Sequence, residues 1–207
     1  MVATSLRSGT CPPDAVFDAF LPSDLQKVAW VHWTPLLVAR RVAEWFALLG
    51  VERVVDLGSG AGKFCVAASL LCDAHFLGIE HRARLVHAAR DLAQTFGVSD
   101  RVRFVHATIQ DDLPPADAYY LYNPFGENLF GCEDHLDQDV EISPPRHTRD
   151  VETLVRALDA APAGTIVVTL NGIGGGMPFS YVEIRTNRNL PSVLRMFKKT
   201  SWRSLVG

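Results

Sequence analysis

The chain has 207 residues, 48% of them hydrophobic and 21% charged, with a formal net charge of -3. That composition excludes a disordered, collagen-like or coiled-coil chain, and the length suffices to bury a core without a disulfide or metal staple. The mild negative charge argues against a surface that grips nucleic acid over its whole area, although a local basic patch is compatible with it.

Cys11, Cys65, Cys72 and Cys132 include no C-x-x-C pair. Cys65 and Cys72 fall in the apolar run 64–72, where a free cysteine behaves as a small buried hydrophobe. A reduced, cytoplasmic protein is expected. No basic segment followed by an apolar one opens the chain, so no signal peptide is expected. No stretch approaches the roughly 20 apolar residues of a membrane span, so no membrane association is expected either.

Residues 1–23, rich in Pro, Ser, Asp and Thr, read as an irregular lead-in with a short helix near Ala15–Phe20. Leu25, Val28, Ala29 and Trp33 suit one short helix over 24–33. Thr34 can cap the next helix and Pro35 suits its first position. Val38, Val42, Trp45 and Leu49 then recur at helical spacing, and Gly50 closes the helix.

From Arg53 the period changes. Strands are expected at 53–57, 75–79, 102–106, 118–122 and 165–170, with helices at about 62–72, 82–96 and 148–160, Gly97 ending the second. Strands alternating with helices imply parallel βαβ units. An extended acidic loop, rather than a crossover helix, follows the fourth strand. After the Gly-rich loop N-G-I-G-G-G-M-P, strands at 181–185 and 194–199 share a short connection and therefore pair antiparallel. The expectation is an α/β, doubly wound, mostly parallel seven-stranded sheet with a C-terminal antiparallel hairpin.

The informative segment is R-V-V-D-L-G-S-G-A-G-K-F, residues 53–64. A strand runs into a glycine loop that opens a helix, at the strand end where open α/β sheets bind ligands. A phosphate-binding P-loop requires a glycine where Leu57 stands and a hydroxyl where Phe64 stands, so nucleotide hydrolysis is disfavoured. A dinucleotide fingerprint requires a third glycine where Lys63 stands, which disfavours NAD or FAD.

Asp56-Leu57-Gly58-Ser59-Gly60-Ala61-Gly62 resembles the first motif of class I S-adenosylmethionine-dependent methyltransferases. The likeness extends over about 150 residues, through the acid ending the second strand, the fourth-strand loop and the terminal hairpin. It implies that Gly58, Ser59, Gly60 and Gly62 surround the amino-acid half of S-adenosylmethionine, and that Asp56 holds its ammonium directly or through water. Glu80, which ends H-F-L-G-I-E, can accept hydrogen bonds from both vicinal ribose hydroxyls. Many members carry an adenine-binding acid after the third strand. Here Thr108 stands in its place and Asp111 or Asp112 follows late, so adenine recognition falls to backbone groups near Thr108 and Ile109. Several members also lay a T-P segment over the methionine end of the cofactor, as Thr34-Pro35 could. The alternative at that segment is a capped helix packing Trp33 and Trp45 in the core.

The fourth strand ends in Asn123-Pro124-Phe125-Gly126-Glu127-Asn128. Methyl transfer from a sulfonium is an in-line displacement, so the enzyme chiefly positions an acceptor lone pair. The Asn123 carbonyl can accept from a target N–H, Pro124 adds no donor, and Phe125 can stack on a planar acceptor or shield a cation. The segment resembles the [ND]-P-P-[YF] motif of amino-directed methyltransferases, departing from it by one missing proline, and also the loop of seven-stranded protein-lysine methyltransferases. The resemblance assigns Asn123 to both cofactor and acceptor, and Pro124 and Phe125 to the reacting site. It favours nitrogen as the methylated atom. A simple turn at Asn123-Pro124 is the plainer alternative.

The acceptor stays open between protein, nucleic acid and small molecule. Residues 131–159 hold eight acids (Glu133, Asp134, Asp137, Asp139, Glu141, Asp150, Glu152, Asp159) against three arginines, while Arg185, Arg188, Arg195, Lys198, Lys199 and Arg203 form a basic tail. The acidic run favours a cationic acceptor and the tail a polyanionic one. Cys132 and His135 are too few ligands for zinc, so no metal is expected. Ser59 and Ser143 lack the context of a nucleophile. The expected organisation is an N-terminal lead-in and helical cap over 1–50, with residues 51–207 as one compact methyltransferase domain. Competing expectations are a non-catalytic relative that binds the cofactor as sensor or scaffold, and an NAD(P)-binding oxidoreductase.

Overall fold

The computed structural model describes residues 1–109, 112–131, 135–137, 139–190 and 192–201. Contacts divide the chain into two units, Met1–Ala107 and Thr108–Gly207. The described residues include seven strands, numbered β1 to β7 in chain order.

The first unit contains helices α1 (Val2–Arg7), α2 (Asp14–Asp18), α3 (Ser23–Lys27), α4 (Ala29–His32) and α5 (Leu36–Leu49), then β1 (Arg53–Leu57), α6 (Lys63–Ser69), β2 (His75–Glu80), α7 (Ala83–Thr95) and β3 (Val102–His106). β1 pairs parallel with β2, and β2 with β3, with Asp56 opposite Gly78 and Gly78 opposite Phe104. Val54, Val55 and Leu57 are all buried, as befits a parallel strand covered on both faces. Gly50 closes α5 in the left-handed conformation, as the sequence predicts.

The lead-in departs from expectation. Residues 1–33 form four short helices, two of them (α3 and α4) where one was expected. Their buried side chains, among them Leu6, Phe17, Leu25 and Ala29, supply the order that propensity does not. Nor does Thr34 cap α5. Pro35 occupies that position, and the first free amide, Leu36 N, donates to Asp14 Oδ1 at 2.9 Å. A side chain 22 residues upstream replaces the local cap.

The second unit contains β4 (Ala118–Tyr122), a 3-10 turn (Gly126–Leu129), α8 (Pro144–Ala160), β5 (Ile166–Leu170), β6 (Tyr181–Asn187) and β7 (Leu194–Lys199). β4 and β5 are parallel, and β7 runs antiparallel to both β5 and β6. α8 starts four residues earlier than expected, because Ser143 accepts a hydrogen bond from Arg146 N and Pro144 takes the first position. β5 starts one residue late, because the Thr165 hydroxyl and amide both turn back onto the Pro162 carbonyl. Tyr181 Oη donates to Leu158 O, and the buried Lys199 Nζ donates to the Leu158 and Asp159 carbonyls, fastening the hairpin to the last turn of α8. No helix among the described residues is long and apolar enough to cross a membrane.

Candidate functional site

In the first unit, β1 opens into the loop 58–62, where Gly58, Gly60 and Gly62 all have positive φ. The loop is sewn to the end of β2: Gly58 N and Ser59 N both donate to Ile79 O at 2.9 Å, and Gly60 N donates to Glu80 Oε2 at 2.9 Å. Two of the glycines are also sterically required. A Cβ at Gly60 would stand 2.5 Å from the Trp33 ring, and one at Gly62 would stand 2.6 Å from Phe104. A Cβ at Gly58 would meet nothing within 4 Å, so this side of the loop is open to a ligand.

Two buried carboxylates share the floor of the loop. Glu80 Oε1 accepts from Arg82 N at 2.8 Å while Oε2 holds Gly60, leaving lone pairs on both oxygens for further donors. Burial pushes the Glu80 carboxyl up, against the pull of the Arg82 and Gly60 amides. Asp56 lies on β1, 3% exposed, with Oδ2 accepting from the Cys65 thiol at 3.4 Å. Burial raises Asp56 to about 7, helped by the charge of Glu80 and opposed by the Cys65 bond. Ser59 Oγ is buried without a hydrogen-bond partner among the described residues. An open backbone face, an orphaned hydroxyl and two buried acids form a set of acceptors suited to a cation and a diol.

In the second unit, β4 ends in a tight turn. Asn123 O accepts from Gly126 N at 3.0 Å across Pro124 and Phe125. Asn123 has φ 42 and Phe125 φ 64, both left-handed, and a bulky aromatic there is strained. The Asn123 carboxamide folds over Gly126, where a Cβ would stand 2.3 Å from Nδ2. Asn123 is exposed, Pro124 buried and Phe125 half-buried. The buried Asn128 holds the turn in place: Nδ2 donates to Phe125 O at 3.1 Å and Oδ1 accepts from Ser143 N at 3.1 Å.

Among the residues singled out from the sequence, Asp56, Gly58, Ser59, Gly60, Gly62 and Glu80 come together in the first unit. Thr108 and Ile109 open the second, Thr108 exposed and Ile109 half-buried; the preceding Ala107 N donates to Glu80 O at 3.0 Å. Asp112 is exposed. Asp111, Cys132, Glu133, Asp134 and Arg203 lie outside the described residues. His135 Nε2 lies 3.2 Å from the Phe130 carbonyl.

Sequence reasoning read Cys65 only as a small buried hydrophobe, gave no role to Asn128, and met Lys63 only in testing the phosphate-loop and dinucleotide patterns. Lys63 Nζ lies 2.6 Å from Asp14 Oδ1 and 2.7 Å from Asp18 Oδ1, with its side chain 3% exposed. A lysine directly after the glycine loop, with two acids in the lead-in, was the available signal.

Comparison with known proteins bears on the same segments. Residues 50–123 match the family model described as a methyltransferase domain. Over 76 residues the chain is 37% identical to the ribosomal protein L11 methyltransferase of Enterobacter sp. (strain 638), covering 36% of this chain and 26% of that protein. The chain thus spans about a quarter of the length of this curated relative. Among solved structures, a Salinibacter ruber RNA methyltransferase in complex with S-adenosyl-L-homocysteine superposes with a TM-score of 0.57 at 22% identity, covering 81% of this chain and 94% of that one. A candidate O-methyltransferase from Klebsiella pneumoniae superposes with a TM-score of 0.62 at 15% identity, covering 97% and 96%. At these identities the likeness establishes the fold, the seven-stranded Rossmann-like sheet of class I methyltransferases.

Proposed function

We propose that this chain is an S-adenosylmethionine-dependent methyltransferase acting on a nitrogen, with residues 1–50 capping a catalytic domain formed by residues 51–207. The observation that carries the reading is the pair of buried carboxylates, Asp56 and Glu80, beneath a glycine loop with an open face. Once ionised, Asp56 would repel a pyrophosphate on the loop and complement an ammonium, and Glu80 suits a vicinal diol. Asp56, beside the missing third glycine, is the feature that disfavours a nicotinamide dinucleotide, since an acid at the place of Glu80 serves a ribose in either cofactor. The methyltransferase match over residues 50–123 supports the same reading.

When bound, S-adenosylmethionine supplies a methyl group on a sulfonium. Asp56 would take the ammonium, Glu80 the ribose hydroxyls, and the loop 58–62 the amino-acid half. The backbone near Thr108 and Ile109 would border the adenine. Asn123 would accept a hydrogen bond from the target N–H and so orient the nitrogen lone pair for transfer. Phe125, held out of its preferred backbone region, would stack on the acceptor, and Pro124 would keep the turn free of a competing donor. Free thiols at Cys11, Cys65 and Cys72 support a reducing, cytoplasmic setting.

Calorimetric titration with S-adenosylmethionine tests the cofactor, and absence of binding at millimolar concentration overturns the reading. Glu80→Gln weakens binding by about tenfold or more, since a buried hydrogen-bonded carboxylate contributes on the order of 1.5–3 kcal/mol. Asn123→Ala leaves cofactor affinity near wild type and lowers methyl incorporation from labelled cofactor into fractionated protein, RNA or small molecules. Wild-type behaviour of both variants refutes these assignments.

A further inference from the structure

We propose that Lys63 is a positioning residue of the cofactor site, holding the segment from Asp14 to Leu36 against the glycine loop through Asp14 and Asp18, so that Trp33 walls the site. The inference rests on the reading of that loop as the cofactor site.

Lys63 is the first residue of α6, immediately after Gly62. A buried lysine is costly unless paired, and a hydrophobic side chain would fill the same space at lower cost. What the ion cluster adds is direction. Asp14 Oδ1 accepts from Lys63 Nζ at 2.6 Å and from Leu36 N at 2.9 Å. One carboxylate oxygen therefore joins the start of α2, the first turn of α5 and the helix that leaves the glycine loop. Asp18 adds a second contact at 2.7 Å, one turn along α2. Between them Phe17 lies 5.9 Å from Nζ and stacks on Phe96 at 4.7 Å, fixing the α2 side of the cluster in the core.

The chain between these anchors carries Trp33. Its indole Nε1 donates to Leu25 O at 3.0 Å, which sets the ring plane. The ring comes within 2.5 Å of the place a Cβ would take at Gly60, whose amide holds Glu80. Lys63 therefore acts at both ends of one device, as a continuation of the loop and as the anchor of the segment that covers it. If the segment loosens, the fraction of molecules with Trp33 in place falls, and apparent cofactor affinity falls with it.

The test combines hydrogen exchange on the ligand-free protein with titration of S-adenosylmethionine, on wild type, Lys63→Met, Asp14→Asn and Lys63→Arg. Asp14 is 44% exposed, and Asp14→Asn retains an oxygen for Leu36 N, so this variant folds even if Lys63→Met does not. The expected result is faster exchange over residues 14–36 in Lys63→Met and Asp14→Asn. Their affinity should fall about tenfold, as for a segment in place about one-tenth of the time. Lys63→Arg, which keeps the charge and a donor fork, should recover most of the affinity. Unchanged exchange over 14–36, or wild-type affinity in the folded variants, overturns the proposal. A wild type that binds no cofactor instead overturns the functional reading and this inference with it, whereas loss confined to the variants supports both.

Discussion

At the scale of single residues, a backbone anomaly in the second unit, at Phe125, and a charge anomaly in the first, at Asp56, stand out. Phe125 adopts φ 64, the conformation of the second central residue of a type II turn, where glycine or asparagine is usual. Removing the ring while keeping a Cβ retains this strain, so Phe125→Gly should be more stable than Phe125→Ala by about 1 kcal/mol in urea unfolding. Both should lose methyl incorporation. Equal stability of the two would show that the turn carries no strain. Asp56 differs in kind. Its folded-state pKa of about 7 lies above its ordinary value of 3.8, so its contribution to stability is full below about pH 4 and is lost as the pH rises toward 7. Binding of the ammonium needs the ionised form. Cofactor affinity measured by titration should therefore rise between pH 5.5 and 7 and then level off, opposite in slope to this group's effect on the empty protein. Glu80, also pushed up by burial, acts in the same sense. Asp56→Asn should flatten the affinity profile, and an unchanged profile would remove Asp56 from the ammonium site.

At the scale of elements, two helices with proline near their start show what local reasoning can reach. The pattern of a hydroxyl residue followed by proline predicts a cap at Thr34-Pro35 and would equally predict one at Ser143-Pro144. Only the second forms, because Asp14 is packed against the start of α5 and supplies the acceptor first. The basic tail is likewise divided by packing. Lys199 is 9% exposed, and its ammonium caps the last carbonyls of α8. Lys199→Met should lower the stability of the protein by about 2 kcal/mol in urea unfolding, because a cation is lost at a helix C-terminus and buried carbonyls lose a donor. Cofactor affinity should stay at the wild-type value, and an undisturbed unfolding midpoint would refute the capping role. The acidic run is partly spent within the fold too: Glu141 pairs with Arg149, and Asp150 with Arg146. Less of its charge is available to an acceptor than the sequence count implies.

At the scale of the whole molecule, a net charge of -3 averages over groups with separate tasks. Two acids lie under the glycine loop, two more hold Lys63, and others neutralise α8. The alternation of strands and helices, the parallel pairing of β1 with β2 and of β2 with β3, and the antiparallel hairpin were legible in the sequence. So was the cluster of Asp56, the loop glycines and Glu80. Each depends on short-range signals: a change of hydrophobic period, glycines where the chain must turn, an acid at the last position of a strand. The helical order of residues 1–33 was not legible, because short helices with weak propensity exist only when their apolar faces are buried. Nor was the role of Lys63, which lies 49 residues from Asp14. Periodicity and turn chemistry are decided by neighbours a few residues apart, and those the sequence determined. Which acid reaches a buried lysine, which amide takes a carboxylate for its cap, and which ring settles on a glycine depend on helices meeting across the core. Those contacts only the tertiary structure decided.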